Sequence, residues 1–146
     1  MKRTKLLVAA MALPMAMTAM TASAAPVEID YWSVFTGGDG ATMQSMVDTF
    51  NESQDEVHVN HTPMTADDLY QKIPLAVQTG TEVPDVAVVH IERIPNFVEN
   101  EMLWSYDEDI LAEAGISAGD YIESAYNASN IDDEQYGIPL DVHSYV

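Results

Sequence analysis

The sequence predicts an α/β fold built on a doubly wound, mostly parallel sheet, and three observations predict it. Short runs rich in β-branched and aromatic residues alternate with stretches whose apolar residues recur at helical spacing. Val86-Ala87-Val88-Val89 is apolar without a break, the pattern of a strand covered on both faces. A glycine loop, Gly37-Gly38-Asp39-Gly40, turns the first strand into the first helix.

The elements follow in order. Residues 27–35 are dominated by Val, Ile, Tyr, Trp and Phe and read as a strand. Met43, Met46, Val47 and Phe50 fall at i, i+3, i+4 and i+7, an amphipathic helix for which Asp39 is a candidate N-cap. Residues 57–63 set Val57 and Val59 against His58 and Asn60, a half-buried strand. Thr65-Ala66-Asp67-Asp68 resembles a capping box with Asp for Glu. The helix behind it carries Leu69, Ile73, Ala76 and Val77 on one stripe and ends at Gly80. Pro74 inside it must kink the helix or restart it. Residues 84–90 form the third strand. Residues 91–103 form a helix with Pro95 in its first turn. Residues 110–114 and 121–128 are short helices, and residues 136–146 return to strand. In such a sheet the ligand lies beyond the carboxyl ends of the strands, where strand order reverses. That selects the loops at residues 32–40, 62–70 and 90–94.

The first 24 residues read as an export signal. Lys2, Arg3 and Lys5 precede an apolar run, and Ala22-Ser23-Ala24 is a cleavage pattern, which places the mature start at Ala25. The run is shorter than the ~20 residues a bilayer span needs. With no Cys beside the cut, a cysteine-linked lipid anchor is not expected. The remaining 122 residues hold two cations, Lys72 and Arg93, against all 24 acids, a formal charge of −22. Nucleic-acid binding needs clustered Lys and Arg, so that class is excluded. Anionic membranes would repel the chain as well. So dense an acidic surface is best tolerated in high salt. No disulfide is available, and stability must come from one modest core. The chain stops at Ser144-Tyr145-Val146 inside an expected strand, so a fragment of a longer protein is expected.

Few residues offer reaction chemistry. The glycine loop lacks the Gly-Lys-Ser/Thr of a P-loop and the Gly-x-Gly-x-x-Gly of a dinucleotide site, and Asp39 would repel phosphate. Asp107-Glu108-Asp109 reads as a capped, solvated helix start rather than a catalytic carboxylate pair. No serine sits in a Gly-x-Ser-x-Gly elbow. Glu56, His58 and Asn60 share a strand face and His61 points the other way, so solvated surface is expected there. His90 with Glu92, and Asp141 with His143, sit at or near strand ends. They suit hydroxyl contacts, a transition metal or a structural role. Trp32 and Tyr70 lie at the ligand edge, where aromatic faces stack on sugar rings, although Trp32 equally suits the core.

Several features together resemble the bacterial extracellular solute-binding proteins of family 1, which serve ABC importers for sugars and glycerol phosphates. These are the signal, Ile29-Asp30-Tyr31-Trp32 through Gly40, and the helix end Thr49-Phe50-Asn51. Gly80 before Pro84-Asp85-Val86, and Tyr136-Gly137-Ile138-Pro139, complete the set. The likeness covers most of residues 27–146. It implies a bilobal type II periplasmic-binding-protein fold, with residues 25–146 as a partial first lobe ending near the hinge. It also implies a periplasmic monomer that is not an enzyme and needs no cofactor or metal. Its partners would be a sugar or polyol and an ABC importer permease, with no membrane insertion of its own. The ligand contacts carried over by the resemblance are Trp32, Tyr70, His90, Glu92, Asp141 and His143. A neutral sugar or polyol is favoured over glycerol phosphate by the acidic field. A metal-binding importer component and a secreted glycoside hydrolase are the rival classes.

Overall fold

The computed structural model describes residues 25–141; the expected signal segment, residues 142–146 and hence His143 lie outside them. Three parallel strands form the sheet: β1 (Val27–Ser33), β2 (Val57–Pro63) and β3 (Val86–Ala87), in the order β2-β1-β3. β1 runs in the middle, paired with β2 from Val27↔Val57 to Ser33↔Pro63 and with β3 at Tyr31↔Val86 and Trp32↔Ala87. The crossover helices are α1 (Gly38–Ser53) and α2 (Ala66–Thr79). Side chains of β1 alternate between them. Trp32 joins Leu69, Ile73 and Ala76 of α2, together with Phe97, in the main core. Tyr31 and Ser33 face His61 of β2, which Gln44 of α1 reaches from the opposite layer. Helices on both faces of a parallel sheet are the doubly wound arrangement the alternation predicts.

Local chemistry explains the helix ends. Thr65 caps α2 by accepting the Asp68 N–H at 3.2 Å. Its hydroxyl proton goes to the Asp68 carboxylate at 2.7 Å, so the box closes side chain to side chain. α2 runs through Pro74 and ends at Gly80, whose φ of 65° is the left-handed cap only glycine adopts freely. At the other end of α1, amide side chains cover the outer edge of β2. Asn51 exchanges both of its hydrogen bonds with Val59, and Gln54 accepts the Glu56 and Val57 N–H groups. An edge strand with its backbone occupied in this way is a poor template for another chain.

Several expectations need correction. Asp39 is not the cap of α1: the helix begins at Gly38, and Asp39 lies in its first turn, accepting from Gly37 and Gly40. The expected stripe of α1 is only partly inward, with Val47 buried but Met46 58% and Phe50 44% exposed. β3 pairs over two residues and is not covered on both faces, because Val86 is 46% exposed at the edge of the sheet. The third helix divides into a 3-10 turn (Ile91–Arg93) and α3 (Ile94–Glu99), with Pro95 in the first turn of α3. Residues 110–114 and 121–128 correspond to α4 (Glu108–Glu113) and α5 (Glu123–Asn127). Residues 136–141 form no strand. The chain instead makes a small antiparallel ladder just before them, β4 (Asn130–Ile131) with β5 (Glu134–Gln135). Asp132 and Asp133 turn it at φ of 52° and 69°, which short polar side chains tolerate.

Candidate functional site

The reversal of strand order falls between β1 and β3, and the chain leaving their carboxyl ends meets the start of α2. Tyr70 is the meeting point. Its hydroxyl accepts the backbone N–H of His90 at 2.9 Å and lies 2.6 Å from His90 Nδ1. With one lone pair taken by the amide, the phenol satisfies both contacts by donating its proton to Nδ1. The His90 ring proton then sits on Nε2. The Tyr70 ring stands edge-on to Phe97 at 6.2 Å and carries the Arg93 guanidinium 4.5 Å from its centroid. Burial pushes the Tyr70 hydroxyl above its usual range, opposed by the His90 amide and Arg93 and reinforced by Glu92. The phenol therefore stays protonated at neutral pH and keeps its donor.

The sequence candidates divide. Tyr70 and His90 are brought into direct contact. Glu92 is exposed in the 3-10 turn, close enough for its charge to act on the Tyr70 hydroxyl. Asp141 is exposed at the end of the described chain, four residues past Gly137, whose Cα lies close to the Ile94 side chain. Trp32 takes the core alternative: it is 6% exposed among Leu69, Ile73 and Phe97. Its ring supports Lys72, whose Nζ lies 5.0 Å from the centroid. Both cations of the described chain are thus seated on aromatic rings at this end of the sheet, which residue spacing alone could not reveal. A groove of 440 Å³ flanks Lys72, lined by Thr62, Met64, Asp68, Gln71 and Leu75. A larger concavity of 700 Å³ is lined by α1 residues alone and holds no titratable group.

His61 is not the solvated histidine the strand pattern implied. Its Nε2 lies 2.7 Å from Ser33 Oγ, its Nδ1 lies 2.9 Å from Gln44 Oε1, and its ring stacks on Tyr31 at 5.0 Å. A serine hydroxyl on an imidazole has the form of an activated nucleophile. Ser33 is 0% exposed, so no substrate reaches it. The Asp107 carboxylate caps α4 by accepting the Asp109 N–H at 2.9 Å, as the acidic run suggested. Among the described residues, no group of three or more His, Asp or Glu is placed to hold a metal ion.

Tyr70, His90 and Arg93 thus form a polar cluster on an aromatic base at this end of the sheet. The family described as bacterial extracellular solute-binding protein matches residues 45–146. The chain belongs to that family. Solute-binding proteins hold their ligands without transforming them. A curated relative, an arabinooligosaccharide-binding protein from Halalkalibacterium halodurans, is 28% identical over 123 residues, covering 82% of this chain and 26% of its own. The galacto-N-biose/lacto-N-biose I-binding protein of an ABC transporter from Bifidobacterium longum, solved with lacto-N-biose, superposes with a TM-score of 0.68. It shares 24% identity and covers 82% of this chain and 29% of its own. UgpB from Mycobacterium tuberculosis, solved with glycerophosphocholine, gives 0.68 at 24% identity, with 80% and 29% covered. The chain therefore spans about a quarter of the length of the solute-binding relatives it matches.

Proposed function

We propose that residues 25–146 are the first-lobe portion of an exported, periplasmic binding protein that delivers a neutral oligosaccharide or polyol to an ABC importer permease. The observation that carries this reading is the Tyr70–His90 pair at the strand-order reversal, with Arg93 on the Tyr70 ring and Glu92 beside it. In this reading His90 Nε2–H and Arg93 donate to sugar hydroxyls, and Glu92 accepts from them. Asp141 and His143 add contacts from the segment that follows. Trp32 acts from beneath, as the platform that holds Lys72. The signal is cleaved after Ala24, and the mature protein acts as a monomer.

A glycerol-phosphate ligand is the second reading, and the placement of Lys72 and Arg93 at this end of the sheet favours it. Each cation is already engaged with a ring, and 24 acids surround two positive charges, so neutral ligands remain preferred. A thermal-shift panel on the mature protein separates the readings, because a ligand bound only by the native state raises Tm by mass action. Stabilisation by arabino- or galacto-oligosaccharides supports the first. Stabilisation by glycerol phosphate alone selects the second, and stabilisation by divalent metals alone overturns both.

A further inference from the structure

The polar contacts beneath α1 form a chain with one direction. Asp48 presents a carboxylate, which only accepts, so the Gln44 amide donates its N–H to Asp48 Oδ1 at 2.8 Å. That orients Gln44 Oε1 toward His61 Nδ1, 2.9 Å away, and an acceptor there requires a proton on Nδ1. A neutral His61 then has a bare Nε2, and the Ser33 hydroxyl 2.7 Å away must donate to it. The Ser33 oxygen is left as acceptor for the Phe35 N–H at 3.4 Å. The order from Phe35 through Ser33, His61 and Gln44 to Asp48 follows from two facts: a carboxylate cannot donate, and a neutral imidazole carries one proton.

Ser33 ends β1, and Phe35 lies in the loop that leads through Gly37 into α1. Ser33 also holds the next crossing, its carbonyl accepting the Met64 N–H at 2.9 Å. We propose that His61 is a positioning residue for this loop: through Ser33, its protonation state sets the hydrogen bonding of the backbone at Phe35. Adding a proton to Nε2 turns it from acceptor to donor, so the buried Ser33 hydroxyl must reverse. Among the described residues its own proton then loses its acceptor, His61 Nε2, and a buried donor without a partner is costly. Turning the hydroxyl toward a new acceptor redirects its lone pairs, and the Phe35 bond, at 3.4 Å the longest of the series, is the one this weakens. Two titratable groups face the imidazole: Asp48 from α1, whose charge favours the protonated ring, and Tyr31, stacked on it from β1. Burial outweighs Asp48 and lowers the His61 pKa from 6.5, consistent with a ring that is neutral in the resting state.

The test is a pH titration of the isotopically labelled mature protein by NMR. It reads the His61 tautomer and the Phe35 amide with no ligand present, so its outcome is independent of whether a sugar binds. Expected are an Nδ1–H tautomer at neutral pH and a Phe35 amide shift that follows the His61 titration curve. In Ser33→Ala the His61 ring should still titrate while the Phe35 amide stops following it. An Nε2–H tautomer in the wild type overturns the proposal. A Phe35 amide that ignores the His61 transition, or that tracks it unchanged in Ser33→Ala, overturns it as well. If the variant fails to fold, the wild-type tautomer and the wild-type Phe35 amide titration together decide the matter.

Discussion

Replacing Tyr70 with Phe tests the centre of the site, because it deletes one oxygen and leaves the ring. The Phe97 edge contact and the Arg93 stacking survive, while the His90 amide and Nδ1 both lose their partner. His90 is exposed, so water replaces the lost oxygen and the penalty stays near the net worth of one or two ordinary hydrogen bonds, about 1–2 kcal/mol. For a domain of this length that is a fall in Tm of about 3–8 °C. Tyr70→Ala also withdraws the ring from the core and should cost more, about 2–4 kcal/mol, the lower part of the range for aromatic truncation because the ring is only half-buried. Chemical denaturation of the three proteins gives the ordering, and amide exchange at His90 gives the mechanism. The reasoning is refuted if Phe and Ala variants are equally destabilised, or if His90 exchange is unchanged in Tyr70→Phe. Sugar affinity should fall in both, since His90 loses the partner that orients its ring.

Other consequences are as direct. A Cβ on Gly40 would collide with the Phe35 carbonyl oxygen, so Gly40→Ala should destabilise by about 1–3 kcal/mol although Ala is the better helix former; urea unfolding measures it. His61 has a lowered pKa in the folded state, so between that value and 6.5 the unfolded chain holds more protons. The stability it contributes is complete above pH 6.5 and is lost as pH falls through the folded pKa. Unfolding free energies measured on both sides of pH 6.5 should show this slope, and His61→Gln should flatten it. The −22 charge of residues 25–146 predicts that Tm rises between low and molar NaCl; a flat profile would sink the high-salt expectation.

Sequence pattern carries local geometry well and pairing poorly. The bounds of β2 were legible because alternation begins at Val57 and Pro63 closes it, and those of α2 because Thr65 and Gly80 are caps with a mechanism. The four apolar residues 86–89 promised a doubly covered strand. Cover depends on what lies beside β3, and its outer edge is open among the described residues. In residues 136–141 the β-formers Tyr136 and Ile138 alternate with Gly137 and Pro139, and among the described residues the segment has no partner strand, while a strand exists only by pairing. The Asp132-Asp133 hairpin escaped notice because it lacks the glycine that usually marks such turns. For Trp32, period-two alternation opposes it to Tyr31 but does not say which face is the core. Tyr70 and His90 were each legible from position at strand and helix ends. Their contact, like the His61 relay, joins residues 20 and 28 apart in sequence and needed the fold.

If residues 25–146 supply one of two walls, as the proposed function has it, they should bind weakly alone. Ligand sites in general enclose most of the ligand surface, whereas His90, Glu92 and Arg93 are exposed. If the complete protein holds its sugar at about micromolar Kd, near −8 kcal/mol, half of the contacts leave about −4 kcal/mol, a Kd of about 1 mM. Closure of two walls on a ligand requires that the closed state bind it better, and a single wall has no closed state to favour. Calorimetry on residues 25–146 with an arabino- or galacto-oligosaccharide should therefore give millimolar binding or none. Near-micromolar affinity would mean that this wall is the whole site, and that the second wall serves release or permease docking instead of recognition.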